Sequence, residues 1–496
     1  MSQGPAPIDF RANTQRVPPK MPAAVQRATT RFLGNRGAVV DALGQDVWQQ
    51  LRQAGHDLRL HAITHLDHYL TQVEERVTQA GGHVHWARDA EEARRILLQI
   101  ARQHQVRLAV KAKSMVTEEI DLNHGMEAAG IRVLETDLGE YIVQLMGIGP
   151  AHILVPAFHL SKEEIADLFR EKLGVDAPAE ARELTQIAHR KLREEFLCAD
   201  MGISGGNFLV AETGTLVIVT NEGNGRMCTT VPPVHVAVVG IDKVVPDWES
   251  LTVLLALLAR SATGQKLSCY TSFITGPPRT EEETGPRHYH LILLDNGRSR
   301  ILRSPESRET LLCIRCGACL NICPVYNNVG GYAYGWPISG PTGAMLAPQI
   351  LGTKAAGTLP FASTLCGACD EICPVKIPIT DILLHLRHRV VEGDALEPPV
   401  APTAVRIGAR AGALALRSPW LYRLGSRVLP WLQAPLRRDR WLPKLPPPLN
   451  RWTMARPFPA FAAESRRWWR PRARLGQRAN QLGHEGHRGD GHESGS

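Results

Sequence analysis

The sequence predicts an α/β fold, a parallel sheet covered by helices, followed by a smaller α-helical domain organised by cysteines. Two observations predict it. From about residue 60 to 300, short apolar runs alternate with helical stretches, the rhythm of βαβ units. From Cys313 to Pro374, seven of the chain's ten cysteines fall into two runs.

Taken in order, residues from about Asn13 to Ala80 read as helical. His61 to Ala80 carries apolar residues at helical spacing and stops at Gly81-Gly82. Val84–Ala87 is a predicted strand, followed by a helix over Ala90–Gln103. Leu108–Lys111 is a strand, followed by a helix over Glu118–Ala129. Ile131–Glu135 and Ile153–Pro156 are strands, and Lys162–Lys172 is a helix. A helix over Pro178–Phe196 tolerates its proline in the first turn. Phe208–Ala211 and Leu216–Thr220 are paired strands around Glu212-Thr213-Gly214. Val234–Val239 and Tyr289–Leu294 are strands, Trp248–Ser261 a helix, and Asp295-Asn296-Gly297 a closing turn. Gly330–Pro360 reads as a Gly/Pro-rich loop wrapping the cysteine runs without a core of its own, and Thr380–Val391 as a helix. The boundaries that follow are a helical arm over 1–60, the α/β domain over 61–300, a cysteine domain over 301–395, a basic Trp/Arg/Pro-rich region over 396–482 and a disordered polar tail over 483–496.

The first cysteine run, Cys313-x2-Cys316-x2-Cys319-x3-Cys323-Pro324, has the spacing of bacterial ferredoxins. A tight loop aims three thiolates at one centre, the fourth cysteine serves a second centre, and the proline breaks the helix. Zinc ribbons instead pair two C-x2-C knuckles. The second run, Cys366-x2-Cys369-x3-Cys373-Pro374, has Ser363 where the first has Cys313. Crossed pairing assigns Cys313, Cys316, Cys319 and Cys373 to one iron–sulfur cluster, and Cys323, Cys366 and Cys369 to another. The first is a [4Fe–4S] site. The three-thiolate site fits either a [3Fe–4S] cluster or a [4Fe–4S] cluster whose fourth iron takes water, Ser363 or another non-cysteine ligand. Cys198, Cys228 and Cys269 stand alone and are expected to be buried packing residues.

An apolar content of 44% with 21% charged residues suits a soluble globular protein with a real core. Unprotected thiolates imply a reducing compartment, so a cytoplasmic location is expected. Residues 1–20 have no apolar h-region and no stretch is long enough to span a bilayer. Net charge is +8, but Arg406 to Arg474 holds 16 Lys/Arg against Asp439 and Glu464, a local +14 that leaves −6 for the rest. Trp420, Trp431, Trp441, Trp452, Trp468 and Trp469 interleave with these arginines. The region suits a partner protein or peripheral contact at the inner membrane face better than nucleic acid. His484, His487 and His492 belong to the polar tail rather than to a metal site.

The sequence lacks G-x-G-x-x-G after a strand and lacks a P-loop, so it offers no nicotinamide, flavin or ATP fingerprint. Iron–sulfur centres take single electrons, whereas oxidising an alcohol removes two, so the chain is suited to relaying electrons. Polar clusters at expected strand ends place Lys111, Lys113, Glu212 and Arg226 as a candidate anion or substrate pocket. His65, His159, His235 and His290 are read as structural.

Lys111-Ala112-Lys113-Ser114-Met115-Val116-Thr117-Glu118-Glu119-Ile120, Glu135-Thr136-Asp137-Leu138-Gly139-Glu140-Tyr141, Thr220-Asn221-Glu222-Gly223-Asn224-Gly225-Arg226 and Cys313-Ile314-Arg315-Cys316 occur in an order that resembles the lactate utilization protein B family, over roughly residues 20 to 395. The resemblance implies a CoA-transferase-like lactate-utilization domain joined to a two-cluster ferredoxin-type domain. It implies two [4Fe–4S] clusters on the same crossed cysteine sets. It further implies an oxidoreductase subunit that works within a complex with two sister subunits, oxidises L-lactate to pyruvate and passes electrons to a downstream acceptor. The alternative is a CoA-transferase-like or other substrate-binding enzyme with structural clusters, for which Glu212-Thr213-Gly214 is a short match to the nucleophile motif.

Overall fold

In a computed structural model, residues 7–149, 155–157, 159–446, 450, 453–454 and 456–461 are described. They form two units, Met1–Ala401 and Pro402–Ser496. Ile153 and Leu154, Trp452, Trp468, Trp469 and the histidines of the tail lie outside the described residues. Val155 and Pro156 carry no strand, so the strand expected at Ile153–Pro156 is not found where it can be seen.

The strands of the first unit are β1 His83–Ala87, β2 Leu108–Lys111, β3 Arg132–Glu135, β4 Met201–Ser204, β5 Phe208–Val210, β6 Thr215–Thr220, β7 Val234–Gly240, β8 Val244–Val245, β9 Tyr270–Ile274 and β10 His288–Leu294. Six make an all-parallel sheet in the order β1-β10-β7-β4-β2-β3. β4 and β7 are buried along their whole length, as strands covered on both faces must be. The remaining four form a separate sheet, β8-β5-β6-β9, built on the β5–β6 hairpin. This second sheet departs from the single parallel sheet that the alternation suggests.

Local chemistry explains the shifted boundaries. The predicted helix over 118–129 divides into Met115–Glu119 and Leu122–Glu127. Ser114 caps the first by accepting from the Thr117 amide at 3.4 Å, and Asp121, at a φ of 48°, breaks the chain between them. The predicted helix over 61–80 likewise breaks at His65, between Gln45–Thr64 and Leu66–Gln79.

The N-terminal helices are not a free arm. Met21, Val25, Trp48 and Ile63 share one core with Tyr326, Tyr334, Leu383 and five of the cysteines. Gly330–Pro360 is not a wrapping loop either. It holds the helix Gly340–Leu351, buried from Gly340 to Gln349, because its residues are small or apolar enough to pack on every side. Of the three isolated cysteines only Cys228 is buried, whereas Cys198 and Cys269 are exposed.

His235, on β7, is 1% exposed, and its Nε2 pairs with the Ser204 hydroxyl at 2.7 Å. Burial pushes its pKa down to about 3. The folded form is therefore neutral, while the unfolded chain gains a proton below about pH 6.5. The stability this contributes is complete above that pH and is lost as pH falls towards 3. His235→Gln should abolish about 2 kcal/mol of the loss between pH 7 and pH 5. Thermal midpoints of both proteins across that range check it, and parallel curves would reject it.

In the second unit, helices Thr403–Arg417 and Pro419–Leu432 contain no buried residue. Trp420 and Trp431 are exposed, and every charged residue from 403 to 432 is an arginine. Among the described residues no helix is long and apolar enough to cross a membrane.

Candidate iron–sulfur sites and the adjoining cleft

The two cysteine runs repeat one backbone. Cys316-Gly317-Ala318-Cys319 and Cys366-Gly367-Ala368-Cys369 are the same four residues. Gly317 and Gly367 take φ of 83° and 82° and open the short helices Ala318–Ile322 and Ala368–Ile372. Only glycine adopts that conformation without penalty. Two residues earlier, Arg315 and Leu365 are also left-handed, at 59° and 54°. This turn aims the Arg315 amide at Cys313 Sγ (3.4 Å) and the Leu365 amide at Ser363 Oγ (3.1 Å). Ser363 therefore occupies in the second run the place that Cys313 occupies in the first. Pro324 does more than break a helix: it stands in the first turn of Pro324–Val329, with Cys323 as the cap.

Cys313, Cys316, Cys319 and Cys373 line a single cavity with Thr342, Met345 and Ile377. No other cysteine lines it. The Ile377 amide donates to Cys373 Sγ at 3.4 Å, and Thr342 Oγ1 lies 2.9 Å from Cys319 Sγ. Burial, with the neighbouring thiols adding to it, pushes Cys316 well above the usual thiol range. Burial also pushes Cys319 up to about 12 and Cys373 to about 11. Thiols so placed ionise only against a strongly electropositive centre. Four sulfurs around one cavity, met by amide and hydroxyl donors, fit an iron–sulfur cluster. Among the described residues no group of three or more His, Cys, Asp or Glu is placed to hold a single metal ion.

Cys323, Cys366 and Cys369 make the other set. Burial raises the Cys323 thiol, its amide contacts oppose this, and nearby Cys366 adds to the rise. Burial and Asp370 raise Cys369. Cys366 is exposed, whereas in the first set Cys313 is half-buried and the other three are buried.

Three basic residues fix these runs from outside. Lys243 donates to the Cys313 carbonyl (2.9 Å), Arg387 to the Ser363 carbonyl (2.8 Å) and Arg52 to the Cys373 carbonyl (2.9 and 2.7 Å). Buried Arg59 ties Val244 (2.8 Å) to Leu311 (2.9 Å), joining the smaller sheet to the cysteine domain. Arg298 grips Glu119 at 2.9 and 3.0 Å and Asp242 at 2.5 Å. Sequence reasoning missed all five, since an isolated Arg or Lys on a helix or turn carries no local sign of burial.

A cleft of about 520 Å³ opens at the carboxyl ends of β2, β3 and β4, and Cys316 forms part of its wall. Its polar lining includes Lys113, Asp137, Asn207, Glu222, Asn224 and Arg315, and its apolar lining Phe32, Met115, Leu258 and Ile338. Of the four residues expected to form a pocket, only Lys113 lines it, 3.7 Å from Asp137. Lys111 is fully buried, with Glu118 at 2.7 Å and Glu135 at 2.8 Å. Burial would lower its pKa, but Glu118, Glu135 and Glu140 outweigh this and hold it above the usual lysine range. Arg226 is exposed and lies over the Tyr270 ring at 5.7 Å. Glu212 sits in the β5–β6 turn, whereas the cleft takes Gly206 and Asn207 before β5 and Thr220 at the end of β6, at the hairpin's other end. The cleft nevertheless lies where open parallel sheets bind ligands.

Residues 70–294 match the LUD domain model and residues 309–377 the 4Fe-4S dicluster domain model. Proteins described as lactate utilization protein B from Bacillus thuringiensis (strain Al Hakam), Bacillus cereus (strain AH187) and Bacillus anthracis (strain A0248) are each 44% identical over 449 residues, covering 90% of this chain and 93% of theirs. A crystal structure of a DUF162 family protein from Deinococcus radiodurans covers 46% of this chain and 98% of its own, at 16% identity and a TM-score of 0.25.

Proposed function

The chain belongs to the lactate utilization protein B family, and from that premise we propose that it is the iron–sulfur electron-transfer subunit of a complex that oxidises L-lactate to pyruvate. Cys313, Cys316, Cys319 and Cys373 hold one [4Fe–4S] cluster, and Cys323, Cys366 and Cys369 hold the second. The observation that carries this reading is the first cavity, where Cys373 of the second run joins three cysteines of the first. Bound clusters supply one-electron carriers, and lactate oxidation releases two electrons.

The protein's part is to place and insulate these sites. Lys243, Arg52 and Arg387 fix the peptide carbonyls, and Thr342 and backbone amides hydrogen-bond the sulfurs. Cys316 of the first set lines the cleft and Cys366 of the second is exposed, which supports passage of electrons from the cleft side outward. The exposed tryptophans and arginines of Thr403–Arg417 and Pro419–Leu432 suit peripheral contact with an anionic membrane face. The domain limits are proposed as 61–300 for the lactate-utilization domain and 301–395 for the cluster domain.

Anaerobic reconstitution with the two sister subunits tests the reading. Adding L-lactate should bleach the iron–sulfur absorption, and the same addition to a complex carrying Cys373→Ala should bleach markedly less. No bleaching with all three proteins present, or lactate oxidation untouched by Cys373→Ala, would reject it. The second outcome would favour structural clusters.

A further inference from the structure

Five histidines gather at the end of the parallel sheet opposite the cleft. His83 and His85 on β1 and His288 and His290 on β10 form two His-x-His pairs on neighbouring strands, with His83 in register with His290. Alternate residues of a strand share a face, and register partners share it too, so all four imidazoles stand on one face of the sheet. His104, which ends the helix Ala90–Gln103, completes the group. The rings of His83 and His85 stack on that of His290 at 5.0 and 5.3 Å. The His104 ring lies 4.3 Å from His288 and 5.8 Å from His290. The two strands begin at His83 and His288, whereas the cleft lies at carboxyl ends of the same parallel sheet, so the group stands apart from the cleft.

One hydrogen bond joins two of these rings, His85 Nε2 and His290 Nδ1 at 3.1 Å, while His104 Nε2 and His290 Nε2 are buried without partners. Buried polar atoms normally find partners. Burial and the neighbouring imidazoles lower the pKa of His85, His104 and His290, the last to about 3. These three rings are therefore neutral near pH 7, the form in which imidazole binds a metal. In this arrangement no three of the nitrogens surround one point. Yet His85 Nε2 and His290 Nδ1 already face each other at close to the separation of two ligands on one tetrahedral ion, about 3.3 Å for bonds of about 2.0–2.1 Å. We propose that this group binds one divalent late transition-metal ion, of the nickel and zinc class, through His85, His290 and His83, with water in the fourth position. His83 is exposed on the edge strand with its ring against that of His290, so rotation about its side-chain bonds supplies the third ligand. An all-imidazole donor set suits these ions and not magnesium or calcium, which take oxygen ligands. The ion is structural: it clamps β1, which pairs with β10 alone, to the rest of the sheet.

The test uses the full chain with its iron–sulfur clusters loaded and nickel chloride as the probe. His484→Ala, His487→Ala and His492→Ala are present throughout, so that the histidines of the tail cannot contribute. Equilibrium dialysis followed by metal analysis should find one nickel per chain, bound saturably beside an unchanged iron content. His85→Asn should weaken binding about tenfold or more, since even the outer partners of a metal ligand are worth that much. His83→Gln should do the same, and it alters an exposed residue whose loss the fold tolerates. His235→Gln is the control. His235 is in register with Tyr289 and so stands on the other face of the sheet, and its substitution should leave the affinity unchanged. Saturating nickel should also raise the thermal midpoint of the parent protein and not that of His85→Asn. Absence of saturable binding by the parent, an affinity unchanged by both His85→Asn and His83→Gln, or an equal weakening by His235→Gln would overturn the assignment.

Discussion

Replacing Cys373 with alanine should remove the same cluster as replacing Cys313, although the two residues belong to different runs. Both thiols line one cavity with Cys316 and Cys319. A cluster deprived of one thiolate in a largely buried, mostly apolar cavity has an iron without its anionic ligand, and no side chain nearby replaces it. Thr342 and Met345 are the other side chains with a heteroatom there, and neither is a thiolate. Anaerobic iron and sulfide analysis should give seven to eight irons in the unaltered chain and about four fewer in either variant. The double variant Cys313→Ala/Cys373→Ala should lose no more iron than either single one, because the two residues then act as one unit. An uncrossed arrangement gives a different pattern: the variants lose different clusters and the double variant loses nearly all iron. Equal losses with no additivity support the crossed set, and additive losses reject it. Zinc as the stoichiometric metal in protein prepared without oxygen would reject both arrangements.

Much of this was legible because it is written in short-range chemistry. The helix Ala90–Gln103 has its Asp89 cap and apolar stripe in one stretch, and it forms where the periodicity places it. The cysteine runs are equally local, since loop, glycine and sulfur spacing occupy a dozen residues. β4 and β9 were not legible. Met201–Ser204 is four residues with a glycine, and Tyr270–Ile274 is a partly exposed strand that exists only by pairing with β6. Lys111 misled for a related reason. A lysine after an apolar run looks like a ligand at a strand end, yet its partners Glu118 and Glu135 come from elements that only the fold brings together. The same holds for Arg52, 321 residues from the carbonyl it fixes.

Ser363→Cys should convert the second, three-thiolate site into one with four protein thiolates. The repeated backbone makes the substitution specific. Leu365 has the left-handed conformation of Arg315, and its amide already points at the Ser363 side chain as the Arg315 amide points at Cys313. Arg387 holds the Ser363 carbonyl as Lys243 holds that of Cys313. A cysteine at 363 therefore meets the same local hydrogen bonds as its counterpart and needs no rearrangement of the turn. A thiolate adds negative charge, which stabilises the oxidised state and lowers the potential of the site, by on the order of 100 mV. It also anchors the corner that lacks a cysteine. Exposed Cys366 shows that solvent reaches this set, so that corner is where oxygen should act first in the unaltered protein. EPR-monitored redox titration should show two potentials in the unaltered chain, with the second set higher, and that higher potential should fall in the variant. Exposure to air should then produce the [3Fe–4S] signal more slowly in Ser363→Cys than in the unaltered chain. Two clusters that titrate together, unchanged in the variant, would mean that another group already closes the corner and that Ser363 faces away from it.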